Sequence, residues 1–343
     1  MASTPDDVAQ QITTGNAVTS SLSRDIVYYF ESAIVFIGVV GTAANALILY
    51  AMVASKQHKK QMLIFNQNVL DLFSSIFLVI TYGAKLCDIF LVGSVGYWLC
   101  MWLLSENILW CGIIAAKVNL MFVTIERYLK VVHRTCSKKV LRNWVVYSAM
   151  AYSWISGFVI SIGVTLSTTN LVDGVCYAYI FWSSRESQLA YGLFYFLFFY
   201  IFILMTFVFC YGRILMIIRS QARTMAAHSS AGSNAKQIKG NQMQLSVIKT
   251  MVLISAFYAV SDMPMDVYYL LMNIHANLTI IEAGYFAALF ISFLYICTNP
   301  FIYAAKFDPV KRVLLDLIPC RKTFEQQREG VQMTGSVAPP TIK

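Results

Sequence analysis

Charge is scarce in this sequence. Only 13% of the 343 residues are Asp, Glu, Lys or Arg, whereas 58% are hydrophobic and the mean hydropathy is +0.63. A soluble domain needs more polar surface than this, and a disordered, collagen-like or nucleic-acid-binding chain needs more again. The composition excludes those classes and predicts that most of the chain lies in lipid.

Catalytic features are also missing. The sequence has only four His, no cluster of metal-ligand residues and no Gly-rich phosphate loop. Nothing in it predicts a catalytic or metal site, so we do not expect an enzyme. It also shows no internal repeat, which disfavours transporters built from duplicated halves.

Long apolar stretches are abundant instead. A membrane-spanning helix needs about 20 mainly apolar residues, and seven stretches, numbered here as spans 1 to 7, meet that requirement. They are continuously apolar rather than alternating, which favours helices over a β-barrel. We predict an all-α membrane protein, a seven-transmembrane helix bundle with a short amphipathic eighth helix. The predicted spans are Ile26–Ala54, Met62–Cys87, Tyr97–Val131, Trp144–Leu166, Gln188–Ile218, Leu245–Ile274 and Ile281–Ala305.

Basic residues lie on one side of the predicted bundle. If seven helices cross alternately, 22 of the 26 Lys and Arg fall on the side that holds the carboxyl terminus. Cytoplasmic loops carry such an excess, so we expect an extracellular amino terminus and a cytoplasmic carboxyl terminus. The net charge of +9 then reflects membrane topology and not affinity for nucleic acid.

Composition also divides the chain into four parts. Residues 1–25 predict an extracellular tail, residues 26–305 the bundle, residues 306–318 an amphipathic helix and residues 319–343 a cytoplasmic tail. No basic segment followed by an apolar core precedes Ile26, so we expect span 1 to direct insertion without a cleavable signal peptide.

Short motifs stand near the ends of the spans. In chain order they are Gly41-Thr-Ala-Ala-Asn45, Leu70-Asp71, Glu126-Arg127-Tyr128, Trp154, Tyr211, Pro264, Asn299-Pro300-Phe301-Ile302-Tyr303 and Lys306–Leu315. A lone Glu-Arg-Tyr is common, but that motif closing span 3 together with Asn-Pro-x-x-Tyr closing span 7 is specific. Across nearly the whole chain, the motifs resemble the rhodopsin-like (class A) family of G protein-coupled receptors.

The resemblance implies a function. It implies a plasma-membrane receptor that binds an extracellular ligand between the helices and activates a heterotrimeric G protein, with receptor kinases and arrestin as further partners. A seven-helix transporter or ion channel that uses the buried charges as a pathway is the alternative. A receptor that reaches the surface but signals poorly is a third possibility, because Asp262 stands where the family has a tryptophan.

The resemblance also implies a switch. An ionised Arg at the membrane edge needs a partner, and Glu126 adjoins Arg127. On activation the Arg is implied to leave its acid and stack toward Tyr211 and Tyr303. Interfacial anchoring of Arg127 and Tyr128 is the alternative. No acid stands near the start of span 6 to hold Arg127, so we predict appreciable basal signalling.

Prolines and lysines in spans 6 and 7 carry further implications. Rearrangement is implied about Pro264 and about Asn299-Pro300, although membrane helices also tolerate proline without moving. Span 7 has no interior lysine, so a retinal Schiff base is not expected.

Ionisable residues inside the spans are costly in lipid and are therefore functional candidates. We predict a buried polar network of Asn45, Asp71, Lys117 and Asp262, in which Lys117 pairs with Asp71 or Asp262. Lys117 would then replace the sodium ion that the family often holds at Asp71, which leaves sodium binding in doubt, and no other cofactor is expected. The ionisable residues are Asp71, Glu106, Lys117, Asp262 and Asp266.

Asp262 and Asp266 lie four residues apart on one face of span 6 and repel each other unless a cation lies nearby. With Lys117 at the deeper acid, Asp266 and Glu106 would face a ligand amine or guanidinium. Aromatic walls would come from Trp110, Tyr269 and Phe293. An internal network without ligand contact is one alternative, and an anionic ligand at Lys117 or Lys85 is another.

Cysteine use adds one constraint and one candidate site. The resemblance implies a disulfide between Cys100 and Cys176, which would fasten an extracellular loop over the pocket. Cys100 lies 27 residues before Arg127, slightly more than in the family. Cys320 is a candidate palmitoylation site, with an unmodified thiol as the alternative. The sequon at Asn277 is a weak glycosylation candidate because it lies close to the membrane.

Overall fold

The computed structural model describes residues 24–87, 89–227, 235–274, 282–306 and 308–317. Within these residues the chain forms seven long helical spans, an amphipathic helix and a two-stranded hairpin. The predicted all-α seven-helix bundle is confirmed.

The spans begin and end within a few residues of the predicted limits, except that span 5 ends nine residues after the predicted Ile218 and span 6 starts early. That helix begins ten residues before the predicted Leu245. Spans 1, 2, 4, 6 and 7 are Arg24–Ala54, Met62–Leu86, Asn143–Thr168, Ala235–Ile274 and Glu282–Lys306. Span 3 consists of Gly93–Leu99, a π-helical turn Cys100–Leu104 and Asn107–Val132, and span 5 of Arg185–Phe196, a π-helical turn Leu197–Phe202 and Ile203–Ala227. A short helix, Arg134–Val140, connects spans 3 and 4.

The surface of the bundle suits lipid. Six of the seven spans, all but span 6, are long and apolar enough to cross a membrane. In span 6 the apolar stretch is interrupted by Asp262 and Asp266, but both side chains are buried inside the bundle and the helix packs along span 7. Large apolar side chains such as Phe36, Val208 and Val260 are exposed on the outside, where hydrocarbon replaces water as the solvent.

Span 3 is not one regular helix. Its π-helical turn is followed by Glu106, whose φ of 62° lies in the left-handed region. The regular helix resumes at Asn107. Such a turn holds more residues in the same rise than an α-helix does, which accounts for the long spacing between Cys100 and Arg127.

A small hairpin closes one end of the bundle. Strand β1 (Asn170–Val172) pairs antiparallel with β2 (Val175–Tyr177). The turn between them includes Gly174, whose φ of 77° suits glycine. Cys176 is bonded to Cys100, so the predicted disulfide is confirmed. We call this end of the bundle the disulfide end and the opposite one the Arg127 end.

The amphipathic helix runs over Asp308–Asp316, within the predicted residues 306–318. Val310 is buried against the bundle, whereas Lys311 and Arg312 are exposed, as expected for a helix that lies along a membrane surface. The predicted modification sites Asn277 and Cys320 lie outside the described residues, as do most residues of the two predicted tails.

Candidate functional site

A cavity of about 460 Å³ opens at the disulfide end. Four of the five predicted pocket residues, Glu106, Trp110, Asp266 and Tyr269, line it. Its other walls come from spans 2 to 7 and from the segment after β2. These further lining residues are Lys85, Leu104, Ser105, Ile114, Ser161, Val164, Ala178, Tyr179, Ile180, Trp182, Gln188, Tyr191, Tyr195, Met265, Tyr268, Met272, Asn273 and Tyr285.

Phe293 is the predicted pocket residue that does not line the cavity. Its side chain is fully buried. The ring packs against Tyr82 and Trp110, with centroid distances of 5.7 and 6.2 Å. Phe293 therefore supports the wall from behind, because span 7 turns its side chain toward spans 2 and 3.

Tyrosines form much of the wall, and most of them were missed in the sequence. Tyr191 and Tyr195 of span 5 lie one helical turn apart, and Tyr195 packs on Tyr269 with a centroid distance of 5.3 Å. Because they are four residues apart in the sequence, their position on one face of span 5 could have been predicted. Tyr179 reaches in from the segment after β2 and donates a hydrogen bond to the Ser105 carbonyl oxygen at 3.0 Å. Burial raises the pKa of the Tyr179 phenol, so it stays a donor at neutral pH.

Glu106 is engaged by its own neighbours. Its carboxylate accepts hydrogen bonds from the Tyr82 hydroxyl at 2.8 Å and from Trp110 Nε1 at 3.1 Å. Lys85 forms an ion pair with it. The expectation that Glu106 is left over for a ligand cation is therefore corrected: it lines the cavity, but Lys85 already balances its charge.

Lys117 lies among both acids of span 6. Its ammonium forms ion pairs with Asp262 and, at 3.3 Å, with Asp266. Asp262 also accepts a hydrogen bond from the Ser292 hydroxyl of span 7 at 2.6 Å. Of the two partners predicted for Lys117, the structure selects Asp262 and not Asp71. We call Lys117, Asp262 and Asp266 the charged cluster.

Asp71 is surrounded by neutral groups. Its carboxylate accepts hydrogen bonds from Asn299 Nδ2 at 2.9 Å and Gln67 Nε2 at 3.2 Å, and none of the described Lys or Arg residues forms an ion pair with it. Asn45 donates to the Gly41 carbonyl oxygen instead, at 3.0 Å. We call Asp71, Gln67 and Asn299 the amide cluster.

The single polar network predicted from Asn45, Asp71, Lys117 and Asp262 is thus divided. Two carboxylates on span 6 attract the ammonium more strongly than one carboxylate that neighbouring amides already satisfy. Lys117 is therefore not placed to replace a sodium ion at Asp71, contrary to the prediction.

In the Glu126-Arg127-Tyr128 motif, the charged side chain of Arg127 is held by its neighbours. Arg127 Nη2 lies 3.1 Å from Glu126 Oε2, and Arg127 donates a hydrogen bond to the Gln61 side chain beside span 2. Lys130 forms a second ion pair with Glu126. Arg127 and Glu126 are buried, so this pairing compensates charges that would otherwise be costly at that depth.

Neither of the tyrosines expected to receive Arg127, Tyr211 and Tyr303, is hydrogen-bonded to it among the described residues. The Tyr211 hydroxyl lies 3.1 Å from Ser255 Oγ of span 6. Tyr303 is buried in the core, and Tyr128 is half-buried. The structure thus has Arg127 paired with its acid, as the resemblance implies for a resting receptor.

Both prolines lie inside helices, Pro264 in span 6 and Pro300 in span 7. Each lacks the N–H that a regular helix would use, so the helix is weaker there. Pro264 stands between Asp262 and Asp266, which brings the weak point of span 6 to the charged cluster.

The family model described as 7 transmembrane receptor (rhodopsin family) matches residues 44–303. The match begins one residue before Asn45 and ends at Tyr303, so it includes Asn45 of the span 1 motif and the motifs of spans 2 to 7. No curated protein matches the chain. Members of this family are receptors and not enzymes. The chain belongs to the rhodopsin family of seven-transmembrane receptors.

Proposed function

We propose that this protein is a plasma-membrane receptor that binds an extracellular ligand in the cavity at the disulfide end and activates a heterotrimeric G protein at the Arg127 end. The excess of Lys and Arg in the loops near Arg127 supports a cytoplasmic position for that end. A disulfide is formed and kept in an oxidising compartment, which supports the opposite position for the cavity.

One observation carries the coupling proposal. Arg127 is buried and held by Glu126 and Gln61 alone among the described residues, while Tyr211 and Tyr303 lie on spans 5 and 7 of the same bundle. No acid stands in residues 235–249 of span 6 to hold it from across the bundle. A charge with so few partners can be moved when spans 3 and 6 separate, which exposes a site for a partner.

The ligand proposed for the cavity carries a cation. Asp262 and Asp266 share one ammonium, and Glu106 is balanced by Lys85, so these five side chains leave one carboxylate in excess. Asp266 is the member of the charged cluster that lines the cavity. The tyrosines and tryptophans that line the cavity supply aromatic rings of the kind that bind an amine or guanidinium. An anionic ligand is less well supported, because both lysines are already paired with carboxylates.

Receptor kinases and arrestin remain proposed partners of the Arg127 end. Support for them comes from the family relationship alone.

Ligand-free signalling tests the coupling proposal. Second-messenger reporters for several G proteins are measured in cells that express wild type, Arg127→Ala or Lys59→Ala at matched surface density. Lys59 is the control because it is an exposed cation of the same end. We expect a basal signal that Arg127→Ala abolishes and Lys59→Ala leaves unchanged. Background signals from all three would count against coupling, and measurement of currents and substrate uptake would then test the transporter alternative.

A further inference from the structure

We propose that Lys117 occupies the place of the ligand's cation at Asp266 in the resting receptor, where it clamps spans 3 and 6, and that a ligand cation opens the clamp by taking Asp266 from it. This inference rests on the proposed function, since it names the step by which cavity and coupling site communicate.

The contacts of Lys117 join four spans. An ammonium has three N–H donors. Here its partners are Asp262, Asp266 and, at 3.4 Å, the Tyr195 hydroxyl of span 5. Asp262 in turn accepts from Ser292 of span 7. One side chain of span 3 thus holds spans 5 and 6 directly and span 7 through one intermediate.

The two acids of the charged cluster differ in access. Lys117, Asp262 and Asp266 are all at most 3% exposed, but Asp266 is the one whose side chain borders the cavity. A cation that enters the cavity therefore reaches Asp266 first and competes with Lys117 for it. Lys117 keeps Asp262 as its partner, so neither lysine nor acid is left uncompensated after the exchange.

The position of the exchange explains how it would be transmitted. Asp262 and Asp266 lie on opposite sides of Pro264 along span 6. While Lys117 binds both, it bridges the weak point of the helix and restrains it. Once Asp266 is taken by another cation, the bridge across Pro264 is lost. The part of span 6 beside Arg127 is then free to move relative to span 3.

A lysine that is only structural would also destabilise the protein when removed, so the test uses chemical rescue. Lys117→Ala leaves space for an alkylammonium at the same two carboxylates. n-Butylammonium is the probe, and uncharged n-butanol of similar size is its control. Ligand-free signalling is measured for wild type, Lys117→Ala and the exposed-lysine control Lys59→Ala, at matched surface density.

We expect Lys117→Ala to raise the basal signal about 5- to 10-fold, within the usual range for coupling between sites. n-Butylammonium should reverse at least half of this increase in the basal signal, and n-butanol should reverse none of it. The triple variant Lys117→Met, Asp262→Asn and Asp266→Asn carries no buried charge in the cluster, so it remains informative if Lys117→Ala does not reach the surface. It should signal above wild type and not respond to n-butylammonium. Wild-type signalling from both variants, or equal rescue by n-butanol, would overturn the clamp.

A second readout separates the clamp from the coupling proposal. Spin labels at exposed Cys136, in the short helix that follows span 3, and at Lys249→Cys in span 6, with Cys87 and Cys320 replaced by Ser, report how far span 6 lies from the Arg127 end of span 3 in purified receptor. The clamp predicts a longer-distance population in Lys117→Ala that n-butylammonium removes. If this distance change occurs but no G protein reporter gives a signal, G protein coupling is rejected and the clamp is kept. An Arg127-dependent signal with an unchanged distance and an unchanged basal level in Lys117→Ala would reject the clamp and keep coupling.

Discussion

The charged cluster and the amide cluster differ in how they compensate the charge of buried carboxylates. The charged cluster holds two buried carboxylates and the amide cluster one, within a membrane-spanning bundle where an uncompensated charge is costly. Asp262 and Asp266 are compensated by the ammonium of Lys117, whereas Asp71 is compensated by the neutral amides of Gln67 and Asn299.

The difference has consequences for function. An ammonium shared by two carboxylates forms a strong ionic interaction, and a competing cation can displace the ammonium from one of them. Neutral amide donors form a weaker interaction, and none of the three residues of the amide cluster lines the cavity, so a ligand in the cavity does not contact them. We therefore assign the ligand-responsive role to the charged cluster and a structural role in the resting bundle to the amide cluster.

The largest expected effect is the loss of stability when Lys117 is removed. Lys117→Met leaves Asp262 and Asp266 buried without their cation, which should cost about 3–5 kcal/mol in the free energy of unfolding. Thermal unfolding of the purified receptor measures this loss. The variant that also carries Asp262→Asn and Asp266→Asn should recover most of it, and equal unfolding temperatures for the single and triple variants would contradict the ion-pair assignment.

Asp71→Asn should have a smaller effect. The substituted amide keeps an oxygen acceptor but loses the charge that strengthens the bonds from Gln67 and Asn299, so we expect a loss of about 1–2 kcal/mol in the same unfolding assay. A loss as large as that of Lys117→Met would show that the two clusters do not differ in the way described.

Glu126→Gln tests the Arg127 end. Glutamine fills the same volume but attracts Arg127 and Lys130 less, so the resting arrangement is weakened by about 1 kcal/mol and ligand-free signalling should rise about fivefold. The reporter assay with the Lys59→Ala control measures it. An unchanged or lower signal would mean that the Glu126–Arg127 pair does not restrain the receptor.

The smallest effect is expected at the segment that covers the cavity. Tyr179→Phe removes one neutral hydrogen bond, to the Ser105 carbonyl oxygen, and should lower the free energy of unfolding by about 1 kcal/mol. Because burial raises the pKa of Tyr179, the phenol donates below its ordinary pKa and loses this contribution only as pH rises through the higher folded value. The difference between variant and wild type should thus be the same at pH 7 and pH 9, and its disappearance by pH 9 would contradict the burial of this phenol.

The spans and the disulfide could be predicted from the sequence for identifiable reasons. Continuous apolar stretches determine where helices cross lipid. The order of motifs such as Glu126-Arg127-Tyr128 gave the resemblance to the receptor family, and that resemblance implied the disulfide between Cys100 and Cys176. The charged cluster was recognisable in part, because Lys117, Asp262 and Asp266 stand out within apolar segments.

The details of the site depend on how the helices are rotated and where they break. Spacing alone did not decide whether Lys117 points to Asp71 or Asp262, nor that Phe293 turns behind the wall. The π-helical turn and the left-handed Glu106 in span 3 have no local composition signal, since Cys100–Leu104 is as apolar as the regular helix around it. Lys85 escaped attention as the partner of Glu106 because the two are brought together by the packing of span 2 on span 3.

The central claim is that the charged cluster controls the Arg127 site, and the double variant Lys117→Ala, Arg127→Ala tests it most directly. Ligand-free signalling is compared among wild type, both single variants and the double variant at matched surface density. The account predicts that Lys117→Ala signals above wild type and that the double variant falls to background, because the released span 6 acts through Arg127. A double variant that keeps the raised signal would contradict it.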